Sequence, residues 1–196
     1  DLQPGYTSAV KLYRSAIFTP LSDPFSSESV ETTYRFLEDG CLAVDEEGKI
    51  ASIGDWSSVR PAESDEIIEL RHRSLITPGL IDTHLHAPQL EMIGSYGGDL
   101  LQWLNRHTFP TEAKFHDPVH ARRIAAELFD ELPRSGTTTA LIFSTIHTEA
   151  TEILFQEGES RGMRAIIGKT LMDRNAPENL RESAETAMEG SRELIR

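Results

Sequence analysis

The sequence predicts an α/β protein, with a strand-rich region over residues 1–76 and an alternating strand–helix region over residues 77–196. Three observations carry this. In the first region, short apolar runs are separated by polar and turn residues, as strands are. Beyond Pro78-Gly79, runs rich in β-branched and apolar residues alternate with segments whose apolar residues recur every three or four positions, the helical period. The resulting order β-α-β-α-β-α implies a parallel sheet. Two architectures satisfy it, an open doubly wound sheet and the front of a (β/α)8 barrel. A complete barrel takes ~250 residues, and residues 77–196 number 120.

The first region reads as Ala9-Val10-Lys11-Leu12-Tyr13 and Ala16-Ile17-Phe18, two short strands. A Ser/Pro/Glu-rich loop over 19–33 follows. Residues 41–44 and 49–53 form a strand pair around the turn Asp45-Glu46-Glu47-Gly48, where the glycine suits a positive φ. Ile67-Ile68-Glu69-Leu70 is a further strand. These strands are too few and too polar for an independent core of any size.

In the second region Leu80-Ile81-Asp82-Thr83-His84-Leu85-His86 is the first strand, followed by a Gly-rich loop over 94–98. Pro118 opens a helix that Asp117 is placed to cap. Ala121, Ile124, Ala125, Leu128, Phe129 and Leu132 line its apolar face, and Pro133 and Gly136 are expected to stop it. Residues 137–143 form the next strand, Ala150, Ile153 and Leu154 mark a second helix, and 164–168 form a third strand. A third helix is expected from about Pro177, with Leu180, Ala184, Ala187, Met188 and Ile195 on one face.

Composition narrows the function. The 196 residues include 19 Lys+Arg against 32 Asp+Glu, a formal charge of −13, which opposes binding to nucleic acid or an anionic membrane surface. No apolar run approaches the ~20 residues of a membrane helix. The first residues, Asp1-Leu2-Gln3-Pro4-Gly5, lack a signal-peptide pattern and an initiator Met, so a trimmed chain and a cytoplasmic location are expected. A single cysteine, Cys41, excludes an intrachain disulfide and Cys-x-x-Cys sites, and it reads as a small buried hydrophobe. Chemistry therefore falls to the seven histidines.

His84 and His86 are two apart on a predicted strand, so alternation puts both on one face, at the strand's C-terminal end where ligands of parallel α/β folds bind. Two neutral imidazoles so placed suit a divalent metal, zinc above all. Asp82, two residues earlier, is expected on the same face as a supporting carboxylate.

Pro78-Gly79-Leu80-Ile81-Asp82-Thr83-His84-Leu85-His86 resembles the first-strand metal motif of the amidohydrolase superfamily, and Ser135-Gly136-Thr137-Thr138-Thr139 resembles its entry into barrel strand two. Within it, the chain is similar to the guanine deaminase family. The carrying segments are His86-Ala87-Pro88-Gln89, Leu100-Leu101-Gln102-Trp103-Leu104, Thr108-Phe109-Pro110-Thr111-Glu112, Thr145-Ile146-His147-Thr148 and Gly168-Lys169-Thr170-Leu171-Met172-Asp173. The match is strongest from about residue 76 to 175.

The resemblance implies the front part of a (β/α)8 TIM barrel, its first three βα units over 77–196, preceded by part of a small composite β-sandwich over 1–76. It implies one zinc ion held in part by His84 and His86, and a purine substrate, guanine, deaminated to xanthine and ammonia in purine catabolism. Gln89, with a donor and an acceptor on one carboxamide, is the expected reader of the purine edge, beside His86. Leu101 and Trp103 are the expected apolar wall. Two further His, an Asp, a proton-transferring Glu and a substrate-contacting Arg are implied on later barrel strands. This chain then holds no catalytic residue beyond its metal ligands and is expected to be inactive alone, the natural protein being longer and homodimeric. The alternatives are another deaminase or chlorohydrolase of the superfamily, and a non-catalytic fragment that pairs with a partner.

The remaining polar candidates read as structural. His147 follows strand two and is taken as a loop residue, and Lys169, on strand three, as structural rather than as a bridging metal ligand. His72, His107, His116 and His120 are expected to be solvated.

Overall fold

The computed structural model describes residues 11–26, 29–70 and 74–195. The chain divides into two compact units, the first ending at Pro78 and the second beginning at Gly79. His72, and Ala9 and Val10 of the first expected strand, lie outside the described residues.

The first unit is a five-stranded sheet. β1 (Lys11–Pro20) pairs antiparallel with β2 (Tyr34–Val44), which pairs antiparallel with β3 (Ile50–Asp55). β4 (Glu66–Glu69) and β5 (Leu75–Ile76) run parallel to β1. The two short stretches expected at the start are one strand, because a register shift between Ser15 and Ile17 absorbs the polar break in the pattern. The expected loop is shorter at both ends, since β1 runs to Pro20 and a 3₁₀ turn, Val30–Thr32, precedes β2. Leu12, Cys41, Ala43 and Val59 form a small core. Burial pushes the Cys41 thiol up to about 11, so it stays protonated and packs as a hydrophobe. Arg14 lies 4.5 Å over the Trp56 ring while its guanidinium grips Asp39 through both oxygens at 2.6 and 2.7 Å.

The second unit is a three-stranded parallel sheet in the order β6 (Leu80–His86), β7 (Thr137–Phe143), β8 (Arg164–Gly168). Helix α3 (Pro118–Arg134) connects β6 to β7, and α4 (Thr148–Ser160) connects β7 to β8. The Asp117 carboxylate accepts from the Val119 N–H, capping α3 as expected. The helix carries through Pro133 to Arg134 rather than stopping before it. Gly136, at φ 82°, then turns the chain into β7.

Two helical features depart from expectation. Residues 100–116 are helical almost throughout: α1 (Leu100–Trp103), a π turn (Leu104–Thr108), α2 (Phe109–Ala113) and a 3₁₀ turn (Lys114–His116). The start is set by Asp99, whose carboxylate accepts from the Gln102 N–H. The last helix does not run from Pro177. A 3₁₀ turn, Glu178–Leu180, is separated from α5 (Ala184–Leu194), which Ser183 caps by accepting from the Thr186 N–H. The break lies where Glu182 is drawn back toward the end of β8, by its N–H to the Met172 carbonyl and by its carboxylate to Lys169.

The core lies between the sheet and the two crossover helices. Ile124, Ala125, Leu128 and Phe129 of α3 and Ala150, Ile153 and Leu154 of α4 pack with Ala140 and Ile142 of β7, and Leu85, Ala165 and Ile167 join from the flanking strands.

Candidate metal centre

Strand β6 delivers both histidines to the C-terminal end of the sheet. Its entry needs a residue without a side chain: a Cβ on Gly79 would lie 2.0 Å from Thr138 Oγ1 on the neighbouring strand. Along β6 the register slips by one residue between Asp82 and Leu85. Asp82 is therefore paired with Ala140, whereas His86 is paired with Phe143. The Asp82 carboxylate accepts from the His84 backbone N–H at 3.0 Å. It thus braces the bulge and the backbone of the histidine rather than its ring, a role that simple alternation does not reveal.

The two imidazoles lie 5.2 Å apart between ring centres, and each is 4.9 Å from the Phe143 ring, with His86 stacked on it at 19°. Phe143 was not anticipated at the site. Its signal is positional, at the end of β7 opposite His86. Burial, and secondarily the neighbouring His84, holds the His86 imidazole below the usual histidine range and favours its neutral form. Its Nδ1 is buried and has no hydrogen-bond partner among the described residues. A neutral imidazole with an unsatisfied ring nitrogen beside a second imidazole fits a divalent metal. Among the described residues no group of three or more His, Cys, Asp or Glu is arranged to hold an ion, so these two donors suit only part of a tetrahedral set.

Gln89 sits on the 3₁₀ turn Ala87–Met92 directly after β6. Ala87, Pro88 and Met92 are buried and anchor the turn, while Gln89 is half-buried. His84, His86 and Gln89 line one groove of about 550 Å3 that follows the edge strand β6 along α3, past Leu128, Glu131 and Leu132 to Thr137 at the start of β7. The Gln89 carboxamide makes no hydrogen bond among the described residues, which leaves it available to a ligand.

Leu101 and Trp103 lie elsewhere and do not line this groove. Leu101 is 70% exposed. The Trp103 indole donates to the Ser95 carbonyl at 3.0 Å. A Cβ on Gly97 would come within 2.7 Å of that ring, so the tryptophan pins the glycine loop closely. The His107 ring also bonds this loop, 3.2 Å from the Tyr96 carbonyl.

The other polar residues are only partly paired. Lys169 is 1% exposed and its ammonium is held by Glu182, which accounts for it without a metal. His147 precedes α4, and its Nε2 is buried without a hydrogen-bond partner. Burial first, then the nearby His116 and Lys169, pull its imidazole below the usual range. His116 is exposed, as expected. His120 is not solvated: its ring packs edge-on against Phe115 and approaches Glu91. Glu112 is 5% exposed, and desolvation raises its carboxyl to about 7.

Comparison with known proteins bears on this geometry. A family model described as the amidohydrolase family matches residues 75–196. Guanine deaminase of Escherichia coli (strain K12) is 44% identical over 169 residues, which cover 86% of this chain and 38% of that protein. The solved structure of E. coli guanine deaminase superimposes with a TM-score of 0.82 at 40% identity, over 94% of this chain and 43% of that one. Guanine deaminase from C. acetobutylicum, solved with guanine in its active site, gives a TM-score of 0.74 at 32% identity over 95% of this chain and 42% of that one. The chain thus spans about two fifths of the length of these relatives.

Proposed function

This chain belongs to the amidohydrolase family, and from that premise we propose that it supplies the first part of the active centre of a zinc-dependent guanine deaminase. The reaction is hydrolysis of guanine to xanthine and ammonia. The observation that carries the proposal is the convergence of His84, His86 and the unpartnered Gln89 carboxamide on one groove. The similarity to guanine deaminases along most of the chain supports it. In the same proposal, residues 77–196 are the first three βα units of a TIM barrel and residues 1–76 part of a composite β-sandwich. The parallel order β6-β7-β8 with helical crossovers supports the barrel units. A cytoplasmic homodimer belongs to the proposal on the resemblance alone.

His84 and His86 would hold part of the zinc's ligand set, and the ion would supply activation of water near neutral pH. Phe143 stacks on His86 and restricts the tilt of its ring. Gln89 presents a donor and an acceptor side by side, the pattern that reads an adjacent acceptor and donor on a flat base. A purine lacking that pattern leaves the carboxamide unpaired in a closed site, which is where discrimination arises. Trp103 contributes through the glycine loop, which it holds in place, and Leu101 belongs to the proposal on the resemblance alone.

The test is guanine turnover by the intact natural protein loaded with zinc. Replacing Gln89 with Ala is expected to lower kcat/KM for guanine by roughly a hundredfold or more with bound zinc retained. Full turnover by Gln89→Ala overturns guanine recognition at this residue and favours another deaminase or chlorohydrolase of the family.

A further inference from the structure

The turn that carries Gln89 is anchored by the buried Ala87, Pro88 and Met92, and Glu91 adds a polar tie on another side. Gln89 and Glu91 are two positions apart on the 3₁₀ turn Ala87–Met92. At three residues per turn, such positions point to different sides. Gln89 faces the histidine groove. Glu91 points to another side of the turn, where it meets Arg123 and His120 of α3 and Lys114 of the turn Lys114–His116. One carboxylate oxygen accepts from Arg123 Nη2 at 2.9 Å. The other lies 3.5 Å from Lys114 Nζ and 3.2 Å from His120 Nε2, the last close enough for attraction but not aligned as a hydrogen bond.

This is more than a single ion pair. The Glu91 and His120 side chains are 21% and 14% exposed, while Arg123 and Lys114 stay about half exposed, so three basic side chains from two elements converge on one acid at the rim of the unit. Burial by itself raises the Glu91 carboxyl, but the Arg123 hydrogen bond, His120 and Lys114 outweigh it and hold the group below the usual carboxylate range. Among the described residues, no other side-chain hydrogen bond or ion pair ties this turn to α3 or to Lys114–His116.

We propose that Glu91 is a positioning residue for substrate recognition: its clamp to Arg123, Lys114 and His120 fixes the turn so that the Gln89 carboxamide meets the purine edge. The inference rests on the guanine reading of Gln89 above. Its physical basis is that recognition by a two-point hydrogen-bonding group is lost when the group's backbone drifts by a fraction of the bond length, even though the group is still present.

The experiment is a double-mutant cycle in the intact natural protein loaded with zinc: Glu91→Ala, Gln89→Ala and both together, with Glu91→Gln as the conservative variant. Glu91→Ala is expected to raise KM for guanine roughly tenfold, with a smaller change in kcat and unchanged zinc content. Glu91→Gln keeps an acceptor for Arg123 and is expected to recover part of the loss. In the Gln89→Ala background the Glu91→Ala effect should vanish, because both act through one contact. If the two losses multiply in full, or if Glu91→Ala leaves KM unmoved while Gln89→Ala impairs turnover, the positioning role is overturned and the Gln89 reading stands. If Gln89→Ala is itself without effect, the guanine reading falls and the inference falls with it. Should Glu91→Ala fail to fold, Glu91→Gln carries the same cycle.

Discussion

The two faces of the parallel sheet are built to opposite ends. On one face Ala140 and Ile142 of β7 are buried under α3 and α4, with Leu85, Ala165 and Ile167 beside them. On the other, His84, His86 and Phe143 form a cluster of rings at the C-terminal end, and Ile166 is 67% exposed. The pairing register separates the two sets: Ile142 is matched with Ile167, and Phe143 with Gly168. The covered face stabilises the unit by removing apolar area from water. The open face keeps two imidazoles out of the core, at a cost in burial. Stability and chemistry are thus assigned to alternate residues of the same strands.

That division is breakable, and the largest effect is expected from the open face. His86→Ala in the intact natural protein should reduce zinc content by about half or more and lower turnover by roughly a thousandfold or more. Its thermal midpoint, measured without metal, should stay close to that of the parent. A large loss of apo-protein stability would show that the open face is structural after all. Metal analysis and a thermal melt separate the outcomes.

The reciprocal substitution is Phe129→Ala, on α3, where the ring is 2% exposed. It should destabilise the fold by about 3–5 kcal/mol, because burial is lost and a cavity remains. Zinc stoichiometry of the folded fraction should not change. Denaturant unfolding gives the first quantity and metal analysis the second. Loss of zinc from folded Phe129→Ala would mean that the two faces are coupled.

A smaller effect sharpens the comparison on the helical side. Glu112 is buried, and its carboxyl is raised to about 7 in the folded state by desolvation. The unfolded chain has the ordinary carboxylate pKa, so between the two values the folded state binds more protons than the unfolded one. Stability from this group is therefore greatest below about pH 4.5, falls as pH rises toward 7, and is flat above it, a loss on the order of 3 kcal/mol. Glu112→Gln should flatten that slope. A parent protein whose unfolding free energy is unchanged between pH 5 and 7.5 would contradict the assignment.

Much of this fold was legible locally. β6, β7 and β8 begin and end where the apolar runs do. The Asp117 cap and the periodic face of α3 were both written in residue order. Residues 100–116 were harder to read because their helical turns change type from α to π to 3₁₀, which blurs any single period. The end of the chain misled for a different reason: Glu182 is tied to Lys169, thirteen residues earlier, and that long-range pair breaks the helix that local pattern extends.

The site divides the same way. His-x-His on a strand and Gln89 three residues on were determined by the sequence alone, since alternation and short spacing are local geometry. Only the tertiary structure decided that Phe143 lies against both imidazoles, that Asp82 braces a backbone bulge, that Trp103 pins the glycine loop, and that Glu91 is held by Arg123 and Lys114 with His120 beside it. Each of these depends on residues far apart in the chain meeting at a specific distance. Such contacts are set by strand register and helix packing, which residue order constrains but does not display.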